Sequence, residues 1–155
     1  MANVLKIYKS NDPILRTKCR PIDRVESWVM DLANDMWMTM LISKAVGLAA
    51  NQVGFDYRMI TIKGDQFQGV MINPMIVNHS KEVFHFEEGC LSIPGYGFDT
   101  GKRSKVVQVE YFDLTGVKNS VTFSDMTAVI AQHEIDHLEG IMMVDYMETD
   151  MAAKK

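Results

Sequence analysis

The apolar positions of this chain follow two rhythms. Val25, Trp28, Val29, Leu32, Met36 and Met40 recur at three- and four-residue intervals, which keeps one helical face apolar over about five turns. That spacing predicts a long helix near the N-terminus, packed across a sheet, and Asp23 with Glu26 three residues later has the form of its capping box. Further on the period shortens to two. Val106–Phe112 and Val117–Phe123 alternate around a turn at Gly116 and predict a hairpin. Tyr57–Ile62, Val70–Val77 and Glu82–Phe86 are shorter strand candidates, and Asn73–Pro74 places the second at an edge or a bulge. A second helix is expected over Met126–Glu139, capped by Ser124 or Asp125 and stopped by Gly140 in a left-handed conformation. Residues 1–21, punctuated by Pro13 and Pro21, form an extended arm and loop. Glu87–Gly95, rich in Gly and Pro, is expected to be a shaped loop rather than a regular element.

Two helices among mostly antiparallel strands give the class α+β, with small sheets around a central helix that carries the motif described below. The 155 residues suit one domain, 1–155. A 47% hydrophobic and 23% charged composition is ordinary for a globular protein, and a net charge of −4 argues against direct contact with nucleic acid. No apolar run is as long as a membrane span, and Met1–Ser10 lacks the apolar core of a signal peptide. Two cysteines without an export signal favour reduced thiols and a cytoplasmic location. The 13 methionines are read as adaptable core fillers.

The chemistry centres on Gln132–Gly140. His133 and His137 lie four residues apart, so on a helix both rings leave one face, and Glu134 follows the first directly. This is His-Glu-x-x-His, by which a helix offers two imidazoles to a metal and a carboxylate to the water that the metal activates. An open catalytic site needs a third ligand from elsewhere. Cys90, beside Gly89 on a constrained loop, is favoured over a buried structural role. Glu134 would then act as general base and afterwards as general acid, with Gln132 and Asp136 as supports or as solvated groups. Gln52 and the Leu91 backbone N–H are candidates to hold an oxyanion, and a buried structural glutamine is equally compatible with spacing alone. Met126, Val129 and Ile130 precede His133 by seven, four and three residues and so share its face, as pocket wall or as core. His79 and His85 are expected to be ordinary surface or satisfied side chains.

Three stretches in order resemble the peptide deformylases: Ala45-Val46-Gly47-Leu48-Ala49-Ala50-Asn51-Gln52, Glu88-Gly89-Cys90-Leu91-Ser92 and Gln132-His133-Glu134-Ile135-Asp136-His137-Leu138. The resemblance covers nearly the whole chain. It implies removal of the N-formyl group from the formylmethionine of nascent polypeptides, with release of formate. It assigns the metal to Cys90, His133 and His137, with Fe2+ native and Zn2+, Ni2+ or Co2+ able to substitute. It assigns acid–base catalysis to Glu134 and oxyanion binding to Gln52 and Leu91. The peptide would lie as an added strand against Val46-Gly47 and Gly89, its Met side chain near Met126, Val129 and Ile130, and Arg103 would pair with Glu88. Two departures stand out. Ala45 occupies a family glycine position, where a positive φ would strain the loop, and only fifteen residues follow Gly140. The short tail resembles bacteriophage-encoded members and argues against ribosome docking; separately, a monomer is expected. The alternatives are a zincin-like metallopeptidase, whose third ligand would normally be His or Glu, and a metal-binding domain without turnover.

Overall fold

In the computed structural model, residues 2–147 are described; the polar end of the tail, 148–155, lies outside them. The architecture is mixed α and β with antiparallel sheets. Helix α1 spans Ser27–Ile42 and α2 spans Asp125–Leu138. Strands β1 (Gly47–Ala49), β2 (Met59–Lys63), β3 (Gln68–His79), β6 (Val106–Phe112) and β7 (Lys118–Ser124) form a five-stranded sheet in the order β1-β2-β3-β6-β7. Strands β4 (Glu88–Cys90) and β5 (Ile93–Phe98) form a separate antiparallel pair. Short 3-10 helices lie at Pro13–Arg16 and Ala50–Val53.

The two helices account for the pattern of the strands between them. In β2, Ile60 and Ile62 belong to the core cluster that contains Ala128, Ala131, Ile135 and Leu138 of α2. Met59 belongs to the cluster that contains Val29, Leu32, Met36 and Met40 of α1, and the Thr61 hydroxyl donates to Met40 Sδ. A strand covered on both faces has no solvent-facing side, and β2 is buried at every position but Lys63. The same period of two puts Leu48 of β1 with α1 and Ala49 with α2, so Gly47 also faces α2.

Several local expectations change in three dimensions. Asp23 does not cap α1; the residue before the helix is Glu26, which makes no side-chain capping bond. Ser124 precedes α2 without capping it either, because its hydroxyl accepts from Gln66 Nε2 instead. Glu82–Phe86 is not a strand and contributes one isolated bridge, Val83 to Ser104. Asn73–Pro74 sits not at an edge but in β3, between β2 and β6. A register shift between Ile72 and Met75 forms a bulge there, and a bulge tolerates a residue without an N–H. The Asn73 side chain bonds both N and O of Ile22, which stabilises the left-handed backbone at φ 52°. Glu87–Gly95 contains β4 and the start of β5, so the glycine-rich loop is in fact a tight hairpin. Ala45 is not in the left-handed region; that conformation falls one residue earlier, at Lys44 with φ 57°, so Ala45 carries no such strain. Gly140, at φ 75°, ends α2.

Candidate active site

Cys90 ends β4 and pairs with Ile93 across the turn Leu91–Ser92, so the hairpin fixes where its sulfur points. His133 and His137 leave one face of α2, buried, with ring centroids 5.0 Å apart. The ligand atoms of Cys90, His133 and His137 all lie within 4.8 Å of one another. Cys90 Sγ is 3.4 Å from His137 Nε2, which is 3.3 Å from His133 Nε2. The third atom of this group is therefore sulfur rather than the His or Glu expected of a zincin.

The surrounding charges favour a cation at this point. Burial works against a charged His133, yet Glu134, Cys90 and Glu88 hold its pKa well above the ordinary imidazole value. Burial and the neighbouring His133 push His137 well below that value. Two neutral imidazoles and a thiolate around a divalent ion satisfy the same acidic neighbours without protonating a ring. The donor set thus fits a divalent metal.

His133 is oriented from behind. Its Nδ1 lies 2.9 Å from Glu88 Oε1, which directs Nε2 at the site. Arg103 donates to both Glu88 oxygens at 3.0 and 2.9 Å and also to Asp136. Both members of the Glu88–Arg103 pair are about 3% exposed. Burial alone would raise the Glu88 carboxyl, but His133 and Arg103 hold it below its usual value. Gln132 turns the other way and bonds the backbone of Ser104 through both ends of its amide.

Glu134 is buried, and its Oε1 has no hydrogen-bond partner among the described residues. Burial pushes its carboxyl up from the usual range. Gln52 is held by the Ala49 N–H, which donates to Oε1 at 3.0 Å, so the amide nitrogen faces Ser92 Oγ at 3.2 Å and Cys90 Sγ at 3.5 Å. These groups open onto a cavity of about 630 Å³. Its lining includes Val46, Gly47, Gln52, Gly89, Leu91, Val129, Ile130, His133 and Glu134. Met126 is not part of that lining; it packs against the core on the inner side of α2. Phe86, Ile93 and Tyr96 line the cavity and have no distinguishing sequence signal; the β4–β5 pairing places Ile93 and Tyr96 there, and Phe86 lies just before β4. The cavity lies between two strand edges. β1 ends the five-stranded sheet and pairs with β2 alone among the described strands, and β4 pairs with β5 alone.

Residues 4–152 match the family model described as polypeptide deformylase. The chain is 39% identical over 153 residues to a peptide deformylase of Picosynechococcus, spanning 96% of this chain and 81% of that one. A Met-Ala-Ser-bound class I type b peptide deformylase from Acinetobacter baumannii superposes with a TM-score of 0.87 at 34% identity, covering 94% of this chain and 99% of that one. A peptide deformylase from Vibrio parahaemolyticus bacteriophage VP16T, in complex with actinonin, superposes with a TM-score of 0.85 at 37% identity, covering 89% and 99%.

Proposed function

Because this chain belongs to the peptide deformylase family, and so catalyses metal-dependent removal of the N-formyl group from new polypeptides, we propose that Cys90, His133 and His137 hold the metal and that Glu134 moves the protons. The observation that carries this reading is the convergence of the three ligand atoms within 4.8 Å beside the unpartnered Glu134 Oε1. Fe2+ is the proposed native ion, with Zn2+, Ni2+ or Co2+ able to take its place, since a thiolate and two imidazoles suit each of them. A divalent ion held there supplies Lewis acidity, which polarises the formyl oxygen and acidifies water.

The side chains do the rest. Glu134 accepts a proton from the attacking water and later delivers it to the departing amine nitrogen, as the bond from the formyl carbon to nitrogen breaks and formate leaves. The Gln52 amide and the Leu91 N–H stabilise the developing oxyanion. Glu88 keeps His133 in the tautomer that offers Nε2. The two free strand edges at Val46-Gly47 and Gly89 support binding of the peptide as an added strand, with the Met side chain against Val129 and Ile130. One catalytic domain spans the chain in this reading, and it acts in the cytoplasm, where formylated chains emerge. No helix among the described residues is long and apolar enough to cross a membrane.

The direct test is formate release from a formyl-Met peptide by metal-loaded and chelator-stripped protein, with Cys90→Ser alongside. Loaded protein should turn over. Stripped protein should recover on adding metal, and Cys90→Ser should lose both metal and activity. Full activity after stripping would overturn the metal assignment.

Gly47 gives a finer test. A Cβ there would stand 2.5 Å from Glu134 Oε2 and 2.9 Å from its Cγ. The backbone conformation is ordinary, so the glycine is required by the close approach of α2 rather than by φ. Gly47→Ala should displace the Glu134 carboxylate and lower kcat by about 10²-fold, with a nearly unchanged denaturation midpoint. A wild-type kcat would show that Glu134 need not sit where it does.

A further inference from the structure

The segment after α2 reaches back to the metal site. The Arg16 guanidinium donates to Gly140 O at 3.1 Å and to both oxygens of Asp145 at 2.7 and 3.0 Å, and Met142 N donates to Asp145 Oδ2 at 3.0 Å. Met142 and Met143 are buried, and residues 143–147 are helical. Tyr146 is thereby delivered to Asp136 and Arg103. Its hydroxyl donates to Asp136 Oδ2 at 2.7 Å, and the Arg103 guanidinium carbon lies 5.0 Å from its ring centroid.

We propose that Tyr146 is a positioning residue for the metal site, acting through Asp136, Arg103 and Glu88 on His133. This rests on His133 being a ligand. Asp136 Oδ2 accepts from both Tyr146 and Arg103, and the Asp136 side chain is 20% exposed while that of Arg103 is 4% exposed. Between Tyr146 and His133 the carboxylate is therefore the member with solvent to turn toward, and the tyrosine hydroxyl holds it on Arg103. Arg103 so anchored presents two N–H groups to Glu88, and Glu88 sets the ring of His133. Such outer partners control how firmly a ligating histidine is held. Burial and the adjacent Asp136 carboxylate keep the Tyr146 hydroxyl protonated, as its donor role requires.

The test compares Zn2+-loaded wild type, Tyr146→Phe, Asp136→Asn and the double variant for the rate of metal loss to an excess of chelator, with KM for a formyl-Met peptide and thermal midpoints measured in parallel. Tyr146→Phe keeps the ring over Arg103 and removes only the hydroxyl. It should lose metal about 3- to 10-fold faster than wild type, less than the 10- to 100-fold typical of a direct partner of a ligand, with KM unchanged. In the Asp136→Asn background the tyrosine substitution should add nothing, because its effect passes through that carboxylate. Wild-type metal retention in Tyr146→Phe, or additive losses in the double variant, would overturn the proposal. Should Asp136→Asn not fold, Tyr146→Phe alone decides by the same retention criterion. Failure of wild type to bind Zn2+ would instead overturn the ligand assignment itself.

Discussion

Replacing Glu134 by Gln should slow formate release by about 10²- to 10⁴-fold, the usual weight of a positioned acid–base group, and leave the metal bound. The substitution is nearly isosteric, and Glu134 is 5% exposed, with the Gly47 backbone against it. Cys90 is placed by the β4–β5 pairing and the two histidines by α2. Two measurements check this outcome: single-turnover formate release and metal content per chain. A rate near wild type would remove Glu134 from the proton path. Loss of metal along with activity would show that the carboxylate maintains the site rather than moving protons.

The largest effect on stability is expected at Arg103. Arg103→Leu removes the donors to both Glu88 oxygens and leaves that carboxylate, 3% exposed, with His133 as its remaining side-chain partner among the described residues. Breaking a buried pair from one side typically costs about 3–5 kcal/mol, because the remaining charge is stranded. This is comparable to a large part of the stability of a domain this size. Equilibrium denaturation of the metal-loaded protein would read the loss. Adding Glu88→Gln to Arg103→Leu should recover much of it, since the second substitution removes the stranded charge while an amide still reaches His133. If the double variant were no more stable than the single one, packing of the arginine stem rather than charge would be responsible.

Some of this was legible in the residues alone. The four-residue spacing of His133 and His137 states its own geometry, because an α-helix brings such positions to one face whatever surrounds it. The alternation of Val106–Phe112 likewise matches the bounds of β6, since a hairpin depends on neighbours close in sequence. In Glu87–Gly95, Gly and Pro signal a loop locally, whereas Glu88 pairs with Phe98 ten residues on. Pro74 fits an edge or a bulge, and only the register of β3 against both neighbours distinguishes the two. Met126 shares a helical phase with His133, but phase does not say where a cavity ends.

Local periodicity and spacing, then, determined the two helices, the hairpin and the pair of imidazoles, together with a family likeness strong enough to name a reaction. The tertiary structure decided what those groups meet. It brought the Cys90 sulfur to the imidazoles, laid the Gly47 backbone on Glu134, and drew Arg103, Asp136 and Tyr146 into one chain behind His133. Apart from the Asp136–Tyr146 bond, those contacts join segments tens of residues apart, and they depend on the packing of β1 and β2 against α2. Hydrophobic burial fixes that arrangement globally, and no window of sequence contains it.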